Sequence, residues 1–502
     1  MNMKKLISMV LALVMLLAMS ATAMAYTVSA PNNGHTYEVY QIFVGDLSAD
    51  GTILSNIKWG ANGTGTANAT VDASVLTELE GVVGASSDTA KLAVITKYAN
   101  LNSTAYGTLG KLPDADATEE GATKFVESLT GVPAGYYLIK DADDSLDGQY
   151  EAYTLYIVQI VNDVTIEPKG EVPTVDKEIV GGTTTETGDY SIGDVINYKI
   201  TGTLPSNYAD YKEYKYVFHD TLSAGLTYNS DAKVYVVNGD DRADVTSSFT
   251  AAFADQKLTL TCNDLKKIAN VTISATSKIV VEYTATLDSD AVVGGKGNDN
   301  VVYLEFSNDP NHSGEGTPTG NTPKDEVVVF TFELDVTKVD GKNNELKLQG
   351  AEFKLRNSAN EWVTVDANGK VTGWAAAEEA GSVLTSDANG FFKISGLEDG
   401  TYYLKETKAP DGYNLLTEEI TVVIASTYDE EGVKTLTITV GTTTANGDTA
   451  NGIVATVVKN NKGASLPETG AQGTKMIYMV GGILVAAAAI LLITKRRMNA
   501  AE

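Results

Sequence analysis

Several segments with the alternating pattern of β-strands place an ionisable or amide side chain on an otherwise apolar face. Successive side chains of a strand point to opposite faces, so Lys338 shares a face with Leu334 and Val336, and Lys177 shares one with Ile179. Acids and amides stand in the same kind of position elsewhere, namely Asp220, Asn308, Glu406 and Asn460. The middle and the C-terminal parts of the chain therefore each supply one lysine, one acid and one asparagine to an expected core.

Such residues could react with one another inside the core. A lone charge is costly to bury, so each group should lose its charge or find a partner. Burial lowers the pKa of a lysine and raises that of a carboxyl group. A neutral amine is a nucleophile, and beside an asparagine and a protonated acid it could form a Lys–Asn isopeptide bond and release ammonia. The alternative is an ordinary buried ion pair with an asparagine nearby.

The elements that must position these residues are mostly strands. Val, Ile, Thr and Tyr alternate in short runs, which turns such as Asp366–Gly369 and Asp387–Gly390 separate. This pattern predicts tandem immunoglobulin-like β-sandwiches. Proline-containing and polar loops at Pro168–Pro173 and Ser307–Pro323 predict three domains, at 26–170, 171–325 and 326–463.

The first domain should contain helical insertions. Ser87-Asp88 could cap a helix with Leu92, Ile95 and Tyr98 on one face, and a second candidate helix runs from Glu119 to Leu129. Its segment Gly135–Asp141 parallels Gly400–Glu406, so the first and third domains could share a fold. No lysine lies between residues 26 and 44, which predicts that the first domain has no isopeptide bond and is less stable.

Both ends of the chain carry membrane-directed signals. Lys4 and Lys5 precede an apolar stretch, and Ala25 completes a small-x-small site, so residues 1–25 should be a signal peptide cleaved before Tyr26. Near the other end, the uncharged run from 476 to 494 would reach about 28 Å as a helix, close to the thickness of a bilayer core. The basic cluster behind it should stay in the cytoplasm.

Residues 464–502 resemble the cell-wall sorting signal of Gram-positive surface proteins. The motif itself consists of Leu466, Pro467, Glu468, Thr469 and Gly470, and the apolar run and the basic residues follow it. The resemblance implies that the cysteine of a sortase attacks the Thr469 carbonyl and releases Gly470 with the tail. It further implies secretion, a transient single-pass precursor and attachment to peptidoglycan in the cell wall.

The third domain resembles the Cna-B-type domain of such proteins. Lys338 lies in Thr-Lys-Val-Asp, Glu406 in Leu-Lys-Glu-Thr-Lys-Ala-Pro-Asp-Gly-Tyr, and Asn460 precedes Asn461. The resemblance implies a bond between Lys338 and Asn460, with Glu406 as the proton-shuttling acid. Asn461 is the alternative acceptor, because the two asparagines are adjacent.

The middle domain resembles the Cna-A-like domain of sortase-assembled backbone pilins. The matching motifs are Phe218–Leu222 with Gly225–Tyr228, and Phe306–Pro310. This resemblance implies a bond between Lys177 and Asn308, with Asp220 as the acid that promotes it.

A polymer of such subunits also needs an amine that receives Thr469 from the next subunit. Backbone pilins carry it in a Tyr-Pro-Lys-Asn-like motif, and Ile166–Gly170 stands at that place with Lys169, although Glu167 and Gly170 depart from the pattern. The resemblance implies the major shaft subunit of a covalent pilus with a role in adhesion. Its partners would be sortase, identical subunits, minor pilins and peptidoglycan. A monomeric wall-anchored adhesin with a host ligand and a minor pilin are the alternatives.

Other functions find little support in the sequence. The formal net charge of −28 argues against nucleic acid and anionic membranes as partners. Cys262 is the only cysteine, which excludes an intrachain disulfide, and the three histidines are widely spaced, so we expect no metal and no cofactor. No HExxH, GxSxG or Walker motif is present, which indicates a sortase substrate rather than an enzyme. The acidic run Asp141–Asp144 is better explained as a solvated turn than as a calcium site.

Overall fold

A computed structural model describes residues 25–31, 34–48, 51, 54–83, 88–113, 123–126, 128–166, 171–310, 318–463 and 471–498. Most of the expected signal peptide, the Lys169 segment and the motif from Leu466 to Gly470 lie outside these residues. The described part is mostly β-structure with few helices, as the sequence predicts.

The first part of the chain forms two sheets and two helices. Its helices are α1 (Ala73–Val83) and α2 (Asp88–Ile95). Its strands are β1 (Ala25–Ser29), β2 (Thr36–Leu47), β3 (Leu54–Trp59), β4 (Gly107–Pro113), β5 (Thr123–Val126), β6 (Ser128–Pro133), β7 (Gly135–Asp141), β8 (Leu155–Ile160) and β9 (Val164–Thr165). One sheet has the order β6-β1-β9, and the other has the order β5-β4-β2-β7-β8, with β3 paired to β2.

The expected helix from Glu119 to Leu129 is wrong. The described residues of that segment form β5 and the start of β6, and β5 pairs antiparallel with β4. β-Branched and aromatic residue types at 123–126 favour a strand, and the pairing decides the conformation. Helix α2 confirms the expected helix with Leu92 and Ile95, whereas Tyr98 lies in a short 3-10 helix after it and Ser87 lies outside the described residues. The sequence argument missed helix α1.

The middle part forms a two-sheet sandwich. Its strands are β10 (Val175–Ile179), β11 (Thr187–Asp189), β12 (Val195–Gly202), β13 (Tyr216–Leu222), β14 (Leu226–Tyr228), β15 (Lys233–Asn238), β16 (Asp241–Asp244), β17 (Thr250–Ala254), β18 (Lys257–Cys262), β19 (Lys278–Leu287), β20 (Asn298–Ser307), β21 (Thr319–Asn321) and β22 (Asp325–Phe330). The sheet orders are β10-β12-β19-β15-β16 and β11-β22-β20-β13-β18-β17, with β14 paired to β19 and β21 to β20.

The middle sandwich extends through strand β22, which is farther than the sequence argument placed its end. Strand β22 pairs with β20 and β11, whereas the sequence argument assigned residues from 326 onward to the third domain. The next strand begins at Phe332 and belongs to other sheets, so Thr331 separates the two sandwiches. We therefore propose Thr331 as the domain boundary.

The third part is also a sandwich. Its strands are β23 (Phe332–Asp340), β24 (Glu352–Arg356), β25 (Trp362–Val365), β26 (Val371–Ala375), β27 (Leu384–Thr385), β28 (Phe391–Leu397), β29 (Gly400–Lys408), β30 (Ile420–Asp429), β31 (Gly432–Val440), β32 (Thr443–Asn446) and β33 (Ile453–Asn460). One sheet has the order β28-β23-β33; the other has β26-β25-β24-β29-β30-β31-β32, with β27 paired to β24. Its first and last strands, β23 and β33, pair in parallel.

The cores of the middle and third sandwiches are continuous with each other. One cluster of buried apolar side chains includes residues of both, whereas the first part has two separate clusters. Hydrogen bonds also join them, among them Ile192 N to Gly396 O at 3.0 Å and Asp399 N to Asp189 Oδ2 at 2.6 Å. The two C-terminal sandwiches are therefore tightly joined.

Helix α3 (Ala471–Met498) follows the third sandwich. Residues 477–495 within it are long and apolar enough to cross a bilayer. Its apolar side chains are exposed, as for Ile477, which is 70% exposed. This confirms the apolar C-terminal helix that the sequence predicts.

Candidate functional site

The three reactive residue types of the third sandwich meet in its core. Strands β23, β29 and β33 supply Lys338, Glu406 and Asn460, which are 0%, 4% and 0% exposed. Lys338 Nζ donates to Asn460 Oδ1 and lies 3.0 Å from Glu406 Oε1. Asn460 Nδ2 donates to the two carboxylate oxygens of Glu406 over 3.0 and 2.9 Å. The acid thus bridges the amine and the amide nitrogen.

Neighbouring groups hold this arrangement in place. The Leu416 backbone N–H donates to Glu406 Oε2 at 2.8 Å, and Asn460 Nδ2 also donates to the Asn414 carbonyl at 2.9 Å. The Phe353 ring centre lies 5.2 Å from Lys338 Nζ. Burial lowers the pKa of Lys338, although the charge and hydrogen bond of Glu406 act in the opposite direction. The alternative acceptor, Asn461, is exposed.

Parallel pairing of β23 with β33 explains why the lysine and the asparagine meet. Asp340 lies opposite Asn460 and Lys338 lies opposite Val458. Positions two apart on a strand share a face, so Lys338 and Asn460 project into the same layer between the sheets. The alternation argument from the sequence had placed both residues on this inner face.

The middle sandwich contains a second buried lysine–acid pair. Lys177 on β10 and Asp220 on β13 are 0% and 1% exposed, and Lys177 Nζ donates to Asp220 Oδ1. The same amine lies 3.0 Å from the Tyr283 hydroxyl, which donates to Asp220 Oδ2 at 2.5 Å. Burial lowers the pKa of Lys177, against the opposing charge of Asp220.

The asparagine of this second site is Asn300, which the sequence argument did not select. It is 0% exposed, and its Nδ2 donates to the Tyr283 hydroxyl at 2.6 Å. Its Oδ1 has no hydrogen-bond partner within the part of the chain that the structure describes. Lys177 Nζ and Asn300 Nδ2 thus contact one and the same oxygen atom.

The expected acceptor Asn308 lies elsewhere. Asp220 faces Val302 across the β13–β20 pair, and at about 3.3 Å per residue Asn308 is on the order of 20 Å farther along the chain. Asn308 Nδ2 instead donates to the carbonyls of Leu146 and Glu151, at 3.1 and 3.2 Å. The structure therefore does not bring Asn308 to Lys177, and this pairing is corrected.

A signal for Asn300 was present in the sequence. Val302, Leu304, Phe306 and Asn308 were assigned to one face of a strand, and one step of two residues upstream on the same face reaches Asn300. The structure buries alternate residues of β20 from Asn298 onward. Tyr283 gave no comparable signal, because it alternates with Val281 and Ala285 as an ordinary core residue.

The first sandwich has a histidine beside its buried acid. His35 Nδ1 lies 2.8 Å from Asp141 Oδ1, and the Thr154 N–H donates to Asp141 Oδ2 at 2.6 Å. His35 Nε2 lies 3.5 Å from Glu151 Oε2. Burial opposes the charged imidazole, but the hydrogen bond and charge of Asp141 prevail and the pKa of His35 is raised. An imidazole cannot form the stable amide that a lysine forms.

The residues expected to take part in processing and polymerisation are only partly described. Ala25 and Tyr26 begin β1, which pairs with β6 and β9. Lys169 and Thr469 lie outside the described residues. Ile166, three residues before Lys169, is buried and Thr165 is exposed. The described residues contain no group of three or more His, Cys, Asp or Glu that could hold a metal ion.

Tandem sandwiches followed by an apolar terminal helix are typical of wall-anchored surface proteins, and three stretches of the chain match models of known families. Residues 192–310 match the Cna-B-like domain of the Gram-positive pilin backbone subunit 2, and residues 332–442 match a prealbumin-like fold domain. Residues 458–500 match the LPXTG cell wall anchor motif. The middle domain thus matches a Cna-B-like description, whereas its motifs resemble the Cna-A-like type.

Curated relatives extend these matches. The chain is 23% identical over 446 residues to the trypsin-resistant surface T6 protein of Streptococcus pyogenes serotype M6, covering 75% of this chain and 79% of that protein. It is 25% identical over 382 residues to the fimbrial subunit type 1 of Actinomyces viscosus, covering 68% and 67%. The chain is thus similar to backbone pilins of Gram-positive bacteria, and the anchor-motif match together with the apolar C-terminal helix supports a surface location anchored to the cell wall.

One solved structure supports the fold. The T6 backbone pilin of serotype M6 Streptococcus pyogenes, described as a modular three-domain structure, covers 88% of this chain and 98% of its own length. Its TM-score is 0.52 at 18% sequence identity. Similarity at this level shows a shared fold, and it agrees with the sandwiches of the present chain.

Proposed function

We propose that this chain is the major shaft subunit of a covalent pilus, with two internal Lys–Asn isopeptide bonds that stabilise it. One observation carries the proposal: Lys338 Nζ, Glu406 and Asn460 form a closed and buried set of contacts. The bonds would join Lys338 to Asn460 and Lys177 to Asn300. The protein promotes each bond once and has no turnover, so it is not an enzyme in the ordinary sense.

The contacts of the third domain support a self-promoted reaction. Burial disfavours the charged amine, so a proton can pass from Lys338 to Glu406 and leave a nucleophilic Nζ. The Nζ attacks Asn460 Cγ, which forms the new amide bond and breaks the Cγ–Nδ2 bond. Glu406 lies within hydrogen-bond distance of both nitrogens. It can therefore accept a proton from Nζ and deliver one to Nδ2, which leaves as ammonia.

The middle domain has the same three residue types in a different arrangement. Lys177 is the proposed nucleophile, Asp220 the acid and Asn300 the acceptor. The direct contact of Lys177 Nζ with Asp220 and the shared contact of Lys177 and Asn300 with Tyr283 support this assignment. It replaces the Lys177–Asn308 bond that the sequence resemblance implies.

The bonds would protect the sandwiches against heat and tension. Lys338 and Asn460 are 122 positions apart, and a cross-link over such a span removes roughly 5 kcal/mol of unfolded-state entropy if it acts as a disulfide does. Lys338 lies on the first strand of its sandwich and Asn460 on the last. A bond between these strands would carry a pulling force directly, and the strands between them would not need to unfold.

Sortase would link the subunits head to tail. It would cleave the LPETG motif at Thr469 and transfer the threonine carbonyl to Lys169 of the next subunit. Lys169 follows the strand β9 and precedes Glu171, so it stands at the junction of the first and middle domains. Such a contact between unlike surfaces does not close on itself and generates a fibre. Minor pilins would cap that fibre, and peptidoglycan would anchor it. The role of the fibre would be adhesion.

A denaturing immunoblot of cell-wall extracts tests the shaft role. The wild-type protein should give a ladder of covalent high-mass species, and Lys169→Arg should collapse it, because arginine keeps the charge but cannot serve as the amine. Lys212→Arg is the matched control, since Lys212 is an exposed lysine of the middle domain and should leave the ladder intact. A single wall-linked band in every strain would contradict the shaft role and favour a monomeric adhesin.

A further inference from the structure

The two candidate sites differ in how the acid reaches the amide. In the third domain, both oxygens of Glu406 accept hydrogen bonds from Asn460 Nδ2. In the middle domain, Asp220 uses one oxygen for Lys177 and the other for Tyr283, and the Tyr283 oxygen is the partner of Asn300 Nδ2. Aspartate is one methylene shorter than glutamate, and the hydroxyl of Tyr283 fills the gap.

We propose that Tyr283 is a catalytic residue of the middle-domain site and relays a proton from Asp220 to the leaving nitrogen of Asn300. This inference rests on the proposed Lys177–Asn300 bond. The Tyr283 oxygen lies 3.0 Å from Lys177 Nζ, 2.5 Å from Asp220 Oδ2 and 2.6 Å from Asn300 Nδ2. It therefore touches the nucleophile, the acid and the leaving group.

The proposed relay conserves atoms and charge. The charged lysine first gives one proton to the Tyr283 oxygen, and the Tyr283 hydroxyl gives its own to Asp220 Oδ2, so that a neutral amine faces a carboxyl group protonated on Oδ2. As Nζ bonds to Asn300 Cγ, Oδ1 takes a second proton from Nζ, Oδ2 gives its proton to the Tyr283 oxygen, and the Tyr283 hydroxyl gives its own to Nδ2. The Cγ–Nδ2 bond then breaks and ammonia leaves. The products are a secondary amide, ammonia and a protonated Asp220.

The surroundings of Tyr283 suit this role. Its hydroxyl keeps its proton at ordinary pH, because burial raises the pKa of Tyr283 well above the usual value. Its ring stacks on Tyr198 with 5.3 Å between ring centres, and both ring centres lie 5.4 Å from Lys177 Nζ. The stack fixes the hydroxyl, and the two rings keep the site apolar.

Tyr198 provides a matched control. It is also buried in the same aromatic box, and its hydroxyl interacts with the Asn300 side chain, but it makes no hydrogen bond to Lys177 or Asp220 among the described residues. Tyr283→Phe and Tyr198→Phe each remove one hydroxyl from this box and retain the ring stack. Only the first removes a hydroxyl that contacts the amine and the acid as well as the amide.

The test follows ammonia loss in freshly translated ectodomain, quenched with acid at successive times and measured by peptide mass for each domain. We expect Tyr283→Phe to slow the loss in the middle domain by about 100-fold, as is typical when a general acid is removed, and to leave the third domain unchanged. Tyr198→Phe should stay near the wild-type rate.

Folding is checked in the Lys177→Met background, in which no middle-domain bond can form. Tyr283→Phe should there unfold in a cooperative thermal transition close to that of Lys177→Met alone. Wild-type rates for Tyr283→Phe, or equal slowing by Tyr198→Phe, would overturn the relay while the bond itself stands. A wild-type middle domain that loses no ammonia would overturn the bond and the relay together.

Discussion

Asn300 on strand β20 and Asn308, one residue beyond the end of that strand, contact two different parts of the molecule. The Asn300 amide donates to Tyr283 in the core of the middle sandwich, at 2.6 Å. The Asn308 amide donates to the Leu146 and Glu151 carbonyls of the first sandwich. Strand β20 therefore contains a candidate cross-link acceptor, and the residue that follows it makes an interdomain contact.

Removal of either acid should leave one isopeptide bond unformed. Glu406→Ala and Asp220→Ala each take away the group that contacts the lysine amine, so each variant should retain one ammonia that the wild type loses. The affected domain should lose roughly 5 kcal/mol of stability with its cross-link. Intact mass gives the number of bonds and calorimetry gives the melting temperature.

The two acid variants control for each other, because each should affect one domain only. Peptide mapping assigns the remaining cross-link to a domain. Ammonia loss at the full wild-type level in Glu406→Ala would show that the acid is dispensable and would contradict the mechanism of the third domain.

Asn308→Ala should loosen the junction between the first and middle domains. It removes two hydrogen bonds from a fully buried amide, which should cost about 1–3 kcal/mol of docking free energy. Faster hydrogen exchange at residues 146–153 would report this change. Both internal bonds should still form.

Asn321→Ala is the control for that junction. The Asn321 amide contacts the Gly148 carbonyl at 3.4 Å from an exposed position, so its removal should have a smaller effect on exchange. A larger effect from Asn321→Ala than from Asn308→Ala would contradict the assigned role of Asn308.

The first sandwich should lose stability as the pH rises through neutrality. The pKa of His35 is raised in the folded state, against the effect of burial, by the hydrogen bond and charge of Asp141. A raised pKa of the folded state means that the protonated ring stabilises the fold, fully so below about 6.5, the unfolded-state pKa. This contribution disappears as the pH rises through the folded-state pKa. Each tenfold difference in proton affinity between the folded and unfolded states corresponds to about 1.4 kcal/mol of stability.

Thermal melting of the first domain between pH 5 and 9, as reported by hydrogen exchange, measures this dependence. His35→Gln should flatten the profile over the same range. A first domain that becomes more stable as the pH rises would contradict the assigned ion pair.

Alternation along strands was enough to find most of the candidate site. It placed Lys338, Glu406, Asn460, Lys177 and Asp220 on inner faces, and all five are buried. It could not decide whether Asn300 or Asn308 meets Lys177, because that depends on the register of β20 against β13. It also could not identify Tyr283, whose functional atom is a hydroxyl at the end of an otherwise ordinary core side chain.

The strand at 123–126 and the end of the middle sandwich at β22 both depend on pairing with other strands. Residues 123–126 form a strand because they pair with β4. Strand β22 joined the middle sheet because β20 and β11 lie on either side of it. In both cases the partner strand lies outside the segment itself, so the local pattern of the segment does not indicate the pairing.

The intact mass of the purified ectodomain, compared between wild type, Asn300→Ala and Asn308→Ala, tests the central claim most directly. The account predicts that the wild type and Asn308→Ala are each lighter than their sequence masses by two ammonia molecules, and that Asn300→Ala is lighter by one. A wild-type mass equal to the sequence mass would contradict the internal bonds. If Asn308→Ala instead lost one bond while Asn300→Ala formed both, Asn308 would be the acceptor. That result would contradict the site described here.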